Sequence, residues 1–137
     1  MKTSVIISTY NSPEWLDKVL TGYACQSVSG FEVVIADDGS GDETRILIAR
    51  HQEMAQATGK FSVQHVRHED DGFRKWEIVN KAIEAASGDY ILLTDGDCIP
   101  HPDIIATHQR LAEKGVFLSG GYLKLPMEPS KAITAND

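Results

Sequence analysis

Long apolar runs are missing from the 137-residue sequence, and none approaches the length needed to cross a bilayer. The opening Met1-Lys2-Thr3-Ser4 leads only into Val5-Ile6-Ile7. That run is too short for the core of a secretory signal and has no cleavage-like tail. Cysteine is scarce: Cys25 and Cys98 are the two. They exclude a framework of disulfide staples and suit a reducing compartment, with a single bridge between them left open. Basic residues are outnumbered 13 to 20, for a net charge of −7. That balance argues against a nucleic-acid binder, which collects phosphates on a basic face. A phosphate ligand stays possible where a divalent cation supplies positive charge locally. Glycine-rich phosphate loops are also lacking: neither G-x-G-x-x-G nor G-x-x-x-x-G-K-[ST] follows the first apolar run. What is present is an ordinary globular composition, 42% hydrophobic and 24% charged, over a length that suits one domain. The expected location is cytoplasmic, with peripheral association at the inner face of the membrane left open.

Short apolar runs alternate with longer helical patterns. The runs are Val5-Ile6-Ile7 and residues 31–36, 61–66, 90–93 and 116–118. Continuous apolar runs suit strands covered on both faces. Between them, Ser12-Pro13-Glu14 reads as a cap, a first-turn proline and an early acid. Trp15, Leu16, Val19, Leu20, Tyr23 and Ala24 follow on one stripe. Ser40 to Glu43 has capping-box spacing, and Leu47, Ile48, His51 and Ala55 form the next stripe, ended by Gly59. A third helix is expected over 73–86, with Trp76, Val79, Ala82, Ile83 and Ala86 inward. A fourth is expected from His101, burying Ile104, Ile105, His108, Leu111 and Ala112 and stopping at Gly115. The β-α-β-α-β-α-β-α-β order predicts an α/β fold, with a mostly parallel sheet and helices on both faces. From Pro126 the pattern changes to a loop, with Ser130 capping a short final helix.

Ligands in such sheets bind where the carboxyl ends of strands meet the next loops. The first run is followed by Ser8-Thr9-Tyr10-Asn11. Thr9 and Asn11 can bond a base, and Tyr10 can pack on a ring; the alternative is a plain cap and turn. The second is followed by Asp37-Asp38-Gly39-Ser40. Asp38 can accept from a ribose hydroxyl or a uracil-like N–H, or can merely cap the turn. The third is followed by His68 to Trp76, where Asp71 is a fair N-cap. Arg74 and Lys75 then fall in a first helical turn, against the helix dipole. A phosphate or nearby acids would explain them, and so would a solvated pair balanced by Glu69 or Glu77. Asn80, about two turns on, can face the same site.

The fourth run ends in Asp95-Gly96-Asp97, a tripeptide also common in plain turns, which its place after a buried strand of a βα series turns toward a metal site. In extended chain, residues i and i+2 point the same way. Two carboxylates so placed repel, and a divalent cation removes the conflict. Hard oxygen ligands select Mg²⁺ or Mn²⁺. Gly96 lets a ligand approach the backbone. His101 is a further candidate ligand, although a capping or surface role suits it as well. His65, His68 and His108 read as structural or surface, and Cys98 as a packed thiol, since sulfur is a poor partner for Mg²⁺.

These segments, in this order, resemble the family 2 glycosyltransferases with their GT-A fold. The matching stretches are Val5 to Asn11, Val34 to Ser40, and Gly88 to Asp97 with its D-x-D. Gly72-Phe73-Arg74-Lys75 through Ala82 is similar to chondroitin-polymerase-type members, and bacterial polysaccharide and lipopolysaccharide transferases are similar overall. The resemblance implies that Thr9, Tyr10 and Asp38 hold a nucleobase, uracil by preference, with Asn11, Asn80 and Gly96 at the same nucleotide site. It implies that Arg74 or Lys75 lies near the diphosphate, that Asp95 lies near ribose and metal, and that Asp97 binds Mn²⁺ or Mg²⁺. Residues 1–125 would be the donor-binding domain, and 126–137 the start of an acceptor-side region. Transfer to a glycan or lipid-linked acceptor, with inversion, is the implied reaction. The family's base follows the D-x-D beyond a further strand, whereas only Glu128 and Asp137 are acidic after Gly121. No catalytic base is therefore assigned, and donor binding without efficient transfer is expected. The rival readings are a noncatalytic sugar-nucleotide or assembly module, a nucleotidyltransferase, whose glycine- and arginine-rich loop is missing here, and a phosphoryl-transfer receiver, whose acids follow other strands. An open sheet edge would allow a homodimer.

Overall fold

The computed structural model describes residues 1–134. Four strands, β1 (Thr3–Thr9), β2 (Phe31–Asp37), β3 (Phe61–Arg67) and β4 (Tyr90–Asp95), form one sheet in the order β3-β2-β1-β4. All three pairings are parallel, with Thr9 opposite Asp37, Asp37 opposite Arg67, and Ser8 opposite Asp95. The strands therefore finish level, and their following loops share one rim.

The helices are α1 (Pro13–Ala24), α2 (Asp42–Thr58), α3 (Lys75–Ala85), α4 (Ile104–Leu111) and α5 (Met127–Ala132). Alternation along the strands divides the core in two. On one face Val5, Ile7, Val33 and Ile35 pack with Leu16, Val19 and Leu20 of α1, Leu47 and Ile48 of α2, and Ile105 of α4. On the other, Ile6, Val34 and Ala36 pack with Ile78, Val79 and Ala82 of α3. Each such side chain, fully removed from water, contributes roughly 1.5–3 kcal/mol before entropy is counted. This is the expected α/β sheet with helices on both faces. Buried Glu32 ties its lower end, accepting from Ser4 Oγ and from the Ser87 N–H, both at 2.6 Å.

Several local expectations are corrected. Residues 116–118 form no strand; Phe117 is 89% exposed, and no strand pairs with the outer edge of β4 among the described residues. Gly115 turns the chain there in the left-handed region, at φ 81°, and a three-residue run without a ladder partner gains nothing from extension. α3 begins at Lys75; of its expected inward residues Val79, Ala82, Ile83 and Ala86 do pack on the sheet, joined by Ile78, whereas Trp76 lies on the flank, 64% exposed. α4 ends at Leu111, which stays exposed because the chain leaves the helix at Ala112 rather than at Gly115. The predicted side-chain caps are spent on loop contacts instead. Ser12 Oγ donates to the Tyr10 carbonyl at 3.0 Å. Ser40 Oγ accepts the Asn11 N–H at 2.8 Å, which leaves Gly41 at the α2 N-cap. Arg74, not Asp71, stands at the N-cap of α3. Ser130 lies inside α5 and bonds the Pro126 carbonyl. Asp137 and Asn136 lie outside the described residues. Gly59 does end α2 in the left-handed region, as expected. No helix among the described residues is long and apolar enough to cross a membrane. Both cysteines are free thiols.

Candidate functional site

The level strand ends bring the four polar loops together. Asp95, the last residue of β4, is held on both sides: Ser8 Oγ donates to its Oδ1 at 2.8 Å, and Lys75 Nζ lies 2.9 Å from the same oxygen. The Lys75 bond and the Ser8 bond, against some burial, hold the Asp95 carboxyl below its usual range. Oxygens of Asp95 and Asp97 and the Cys98 sulfur lie within 4.8 Å of one another. Cys98 donates to Asp97 Oδ1 at 3.6 Å, and burial together with the neighbouring acids pushes its thiol up. It stays a thiol, which leaves two hard carboxylates as the donor set suited to Mg²⁺ or Mn²⁺. His101 is not in this cluster; its Nδ1 accepts the Asp103 N–H at 3.1 Å, a capping role. Gly96 is buried because the β1 end presses on it: a Cβ there would sit 2.9 Å from the Ser8 carbonyl and 3.2 Å from Thr9 Oγ1. Thr9 Oγ1 is itself buried and lacks a hydrogen-bond partner among the described residues. An orphaned hydroxyl facing this turn is the polar atom a ligand or water would satisfy.

The β2 end is built from two acid–histidine pairs. Asp37 accepts from Ser40 N–H at 2.9 Å and meets His65 Nε2 at 2.8 Å. Asp38 meets His68 Nε2 at 2.5 Å and accepts the Arg74 N–H at 2.9 Å. The register explains this: Asp37 lies opposite Arg67, so the next residues, Asp38 and His68, leave their strands side by side. Sequence reasoning treated His68 as structural or surface and missed that it holds Asp38; matching the strand ends would have found it. Burial raises both carboxyls, but the bonds from His65 and Ser40, and from His68 and Arg74, outweigh it and leave both below the ordinary range.

Tyr10 is half exposed, and its hydroxyl donates to Asp70 at 2.7 Å, which spans the opening between the first and third loops. Ser8, Thr9, Tyr10, Asp38, Lys75, Asp95 and Asp97 line one wide cleft. Asn11 sits beside it in a left-handed turn, at φ 45°, and its Oδ1 accepts the Gly41 N–H at 2.8 Å. That is the cap-and-turn alternative realised. Arg74 points away to Glu77 Oε2, 2.9 Å from its Nε, the solvated pair allowed by the sequence. Asn80 is exposed on α3 and does not line the cleft.

The family model of glycosyl transferase family 2 matches residues 4–124, nearly all of this architecture. The chain belongs to glycosyl transferase family 2. Within the family it is similar to the chondroitin synthase of Pasteurella multocida, 30% identical over 98 residues, covering 71% of this chain and 10% of that protein. Its fold is similar to that of a Pyrobaculum calidifontis mannosyltransferase solved with GDP-Man and Mn²⁺ (TM-score 0.71, 27% identity, 83% of this chain and 33% of that one). It is also similar to S. aureus TarS solved with UDP-GlcNAc (TM-score 0.64, 28% identity, 80% and 30%). The family 2 chain spans about a third or less of the length of the curated relatives it matches.

Two predictions concern how this family 2 site is held. Gly39 sits at φ 92°, and a Cβ there would lie 2.5–2.7 Å from Asp70 atoms, two of them backbone. Gly39→Ala should cost about 2 kcal/mol, read as a lower urea midpoint with an unchanged slope. A midpoint equal to that of the parent would show that the third loop does not pack on this turn. The second prediction is a pH dependence. Asp37 and Asp38 have folded values below their unfolded one, so the unfolded chain binds more protons in that window and stability rises with pH. Their contribution is complete above about pH 4–5 and is lost as pH falls through the depressed values. The urea midpoint should fall below that range, and less so in Asp38→Asn. Equal acid profiles for Asp38→Asn and the parent would contradict the pairing.

Proposed function

We propose that this domain binds the nucleotide-diphospho-sugar donor, a UDP-sugar, together with a divalent cation, Mn²⁺ or Mg²⁺. Residues 1–125 are the donor-binding unit, and the longer protein passes the sugar to a glycan or lipid-linked acceptor with inversion. The observation that carries the reading is the pairing of Asp95 and Asp97, the latter free of strong partners among the described residues, at the same rim as Thr9, Tyr10 and Asp38. Asp97 and Asp95 would hold the cation. When bound, a cation there supplies Lewis-acid stabilisation of the leaving diphosphate. Lys75, already at Asp95, offers a positive charge to the same phosphates. Tyr10 offers its ring to the base, and Asp38 offers an acceptor fixed by His68 and the Arg74 N–H. Thr9 Oγ1 is the buried hydroxyl still in need of a partner. No carboxylate is assigned as the base that takes the acceptor's proton.

Isothermal calorimetry with Mn²⁺ present tests the base and phosphate preference. UDP and UDP-sugars should bind at least tenfold more tightly than CDP, because Asp38 can accept from the uracil N3–H, where cytosine has a bare ring nitrogen. A preference for a nucleoside triphosphate would favour the nucleotidyltransferase reading. UDP-sugar binding without turnover in the full-length protein would favour a noncatalytic module.

A further inference from the structure

Lys75 occupies an unusual place. Positive charge in the first turn of α3 opposes the helix dipole, so the helix itself does not call for it. Its Nζ lies 2.9 Å from Asp95 Oδ1, an oxygen that also accepts from Ser8. A lysine ammonium offers three donors, no acceptor and a full positive charge. A second cation bound to the same carboxylate would be repelled at short range. Lys75 thus sits at the group that the donor-and-cation reading gives to the metal. The pair is not locked: the Lys75 side chain is 28% exposed and that of Asp95 51%, and ion pairs this open exchange readily. In this same position the ammonium lies 5.0 Å from the centroid of the Trp76 ring, so that ring senses where the charge sits.

We propose that Lys75 is an internal counterion, which neutralises Asp95 in the ligand-free domain and moves to the donor's diphosphate when the nucleotide binds. The proposal rests on the donor-and-cation reading and adds an order to it. The free domain discriminates against a bare divalent cation, and cation and nucleotide enter together. Lys75 is then a positioning residue whose charge counts twice, against the metal before the donor arrives and for the phosphates afterwards.

The test is Mn²⁺ binding followed by electron paramagnetic resonance, with and without UDP, in the parent, Lys75→Met and Lys75→Arg. The parent should bind Mn²⁺ weakly alone and much more tightly with UDP. Lys75→Met should bind Mn²⁺ alone about tenfold more tightly, and Mn²⁺ with UDP about tenfold less tightly, as removal of one nearby charge implies. Lys75→Arg keeps the charge and should stay weak for Mn²⁺ alone. Trp76 reports the movement directly. In a Trp15→Phe background its emission should change on addition of UDP and Mn²⁺, and this change should vanish in Lys75→Met. If Lys75→Met binds Mn²⁺ alone no more tightly than the parent, while the parent still binds Mn²⁺ with UDP, the counterion role is overturned and donor binding stands. If the parent binds no Mn²⁺ even with UDP, the donor-and-cation reading itself fails.

Discussion

Asp97→Ala is expected to weaken binding of UDP in Mn²⁺ on the order of 100-fold, about 2.7 kcal/mol, and to leave the fold untouched. The two halves of this result have separate causes. Asp97 is exposed, and among the described residues its hydrogen bond is a long one from the Cys98 thiol. Its removal deletes no packing and strands no strong donor, so thermal stability without ligand should match that of the parent. Its proposed work lies in the cation, where loss of one of two carboxylates removes charge and a coordination position together. Asp95→Ala makes a useful contrast. It should weaken binding too, but it also releases Lys75 and Ser8 from their shared oxygen. Calorimetry with the two variants in parallel checks both statements. Undiminished UDP affinity in Asp97→Ala would remove Asp97 from the site.

Asp38→Ala should damage both stability and binding. Asp38 and His68 are nearly buried, with 8% and 7% of their side chains exposed. Truncation leaves the imidazole without its partner and the Arg74 N–H without its acceptor. Together these should cost about 3 kcal/mol, seen as a lower urea midpoint. The loop that carries Asp70 to Arg74 would lose its anchor, and Lys75 follows that loop directly. UDP affinity should therefore fall even with metal in excess. Asp38→Asn keeps the shape and an oxygen for the Arg74 N–H, so it should recover part of the stability. A parent-like midpoint for Asp38→Ala would mean that the buried pair contributes nothing.

The parallel sheet was legible because its signal is local. Apolar runs such as 31–36 are continuous, and helix stripes such as Leu16, Val19 and Leu20 keep their period. Asp95-Gly96-Asp97 was legible for the same reason, as a short motif at a strand's end. The contacts that define the site were not. Asp38 to His68 and Tyr10 to Asp70 join residues from different βα units, and only the register sets them side by side. Lys75 was explained by a phosphate, by nearby acids or by solvent, and the structure pairs it with an acid, Asp95; which acid it meets depends on where α3 begins, a boundary that the sequence misplaced by two residues. Trp76, expected in the core, lies in the first turn of α3 on its exposed flank. Residues 116–118 had the right composition for a strand, but composition cannot supply the neighbour that a strand needs. Gly96 illustrates a subtler difference. It was read as room for a ligand, and it is required by the close approach of the β1 end.

The central claim is that Asp95 and Asp97 bind a nucleoside diphosphate through a divalent cation. The most direct measurement is calorimetric titration of UDP into the domain in Mn²⁺, repeated in excess chelator. The account predicts saturable binding with Mn²⁺ and its loss, by at least tenfold in affinity, once the metal is removed. Equal UDP affinity in Mn²⁺ and in chelator would contradict it.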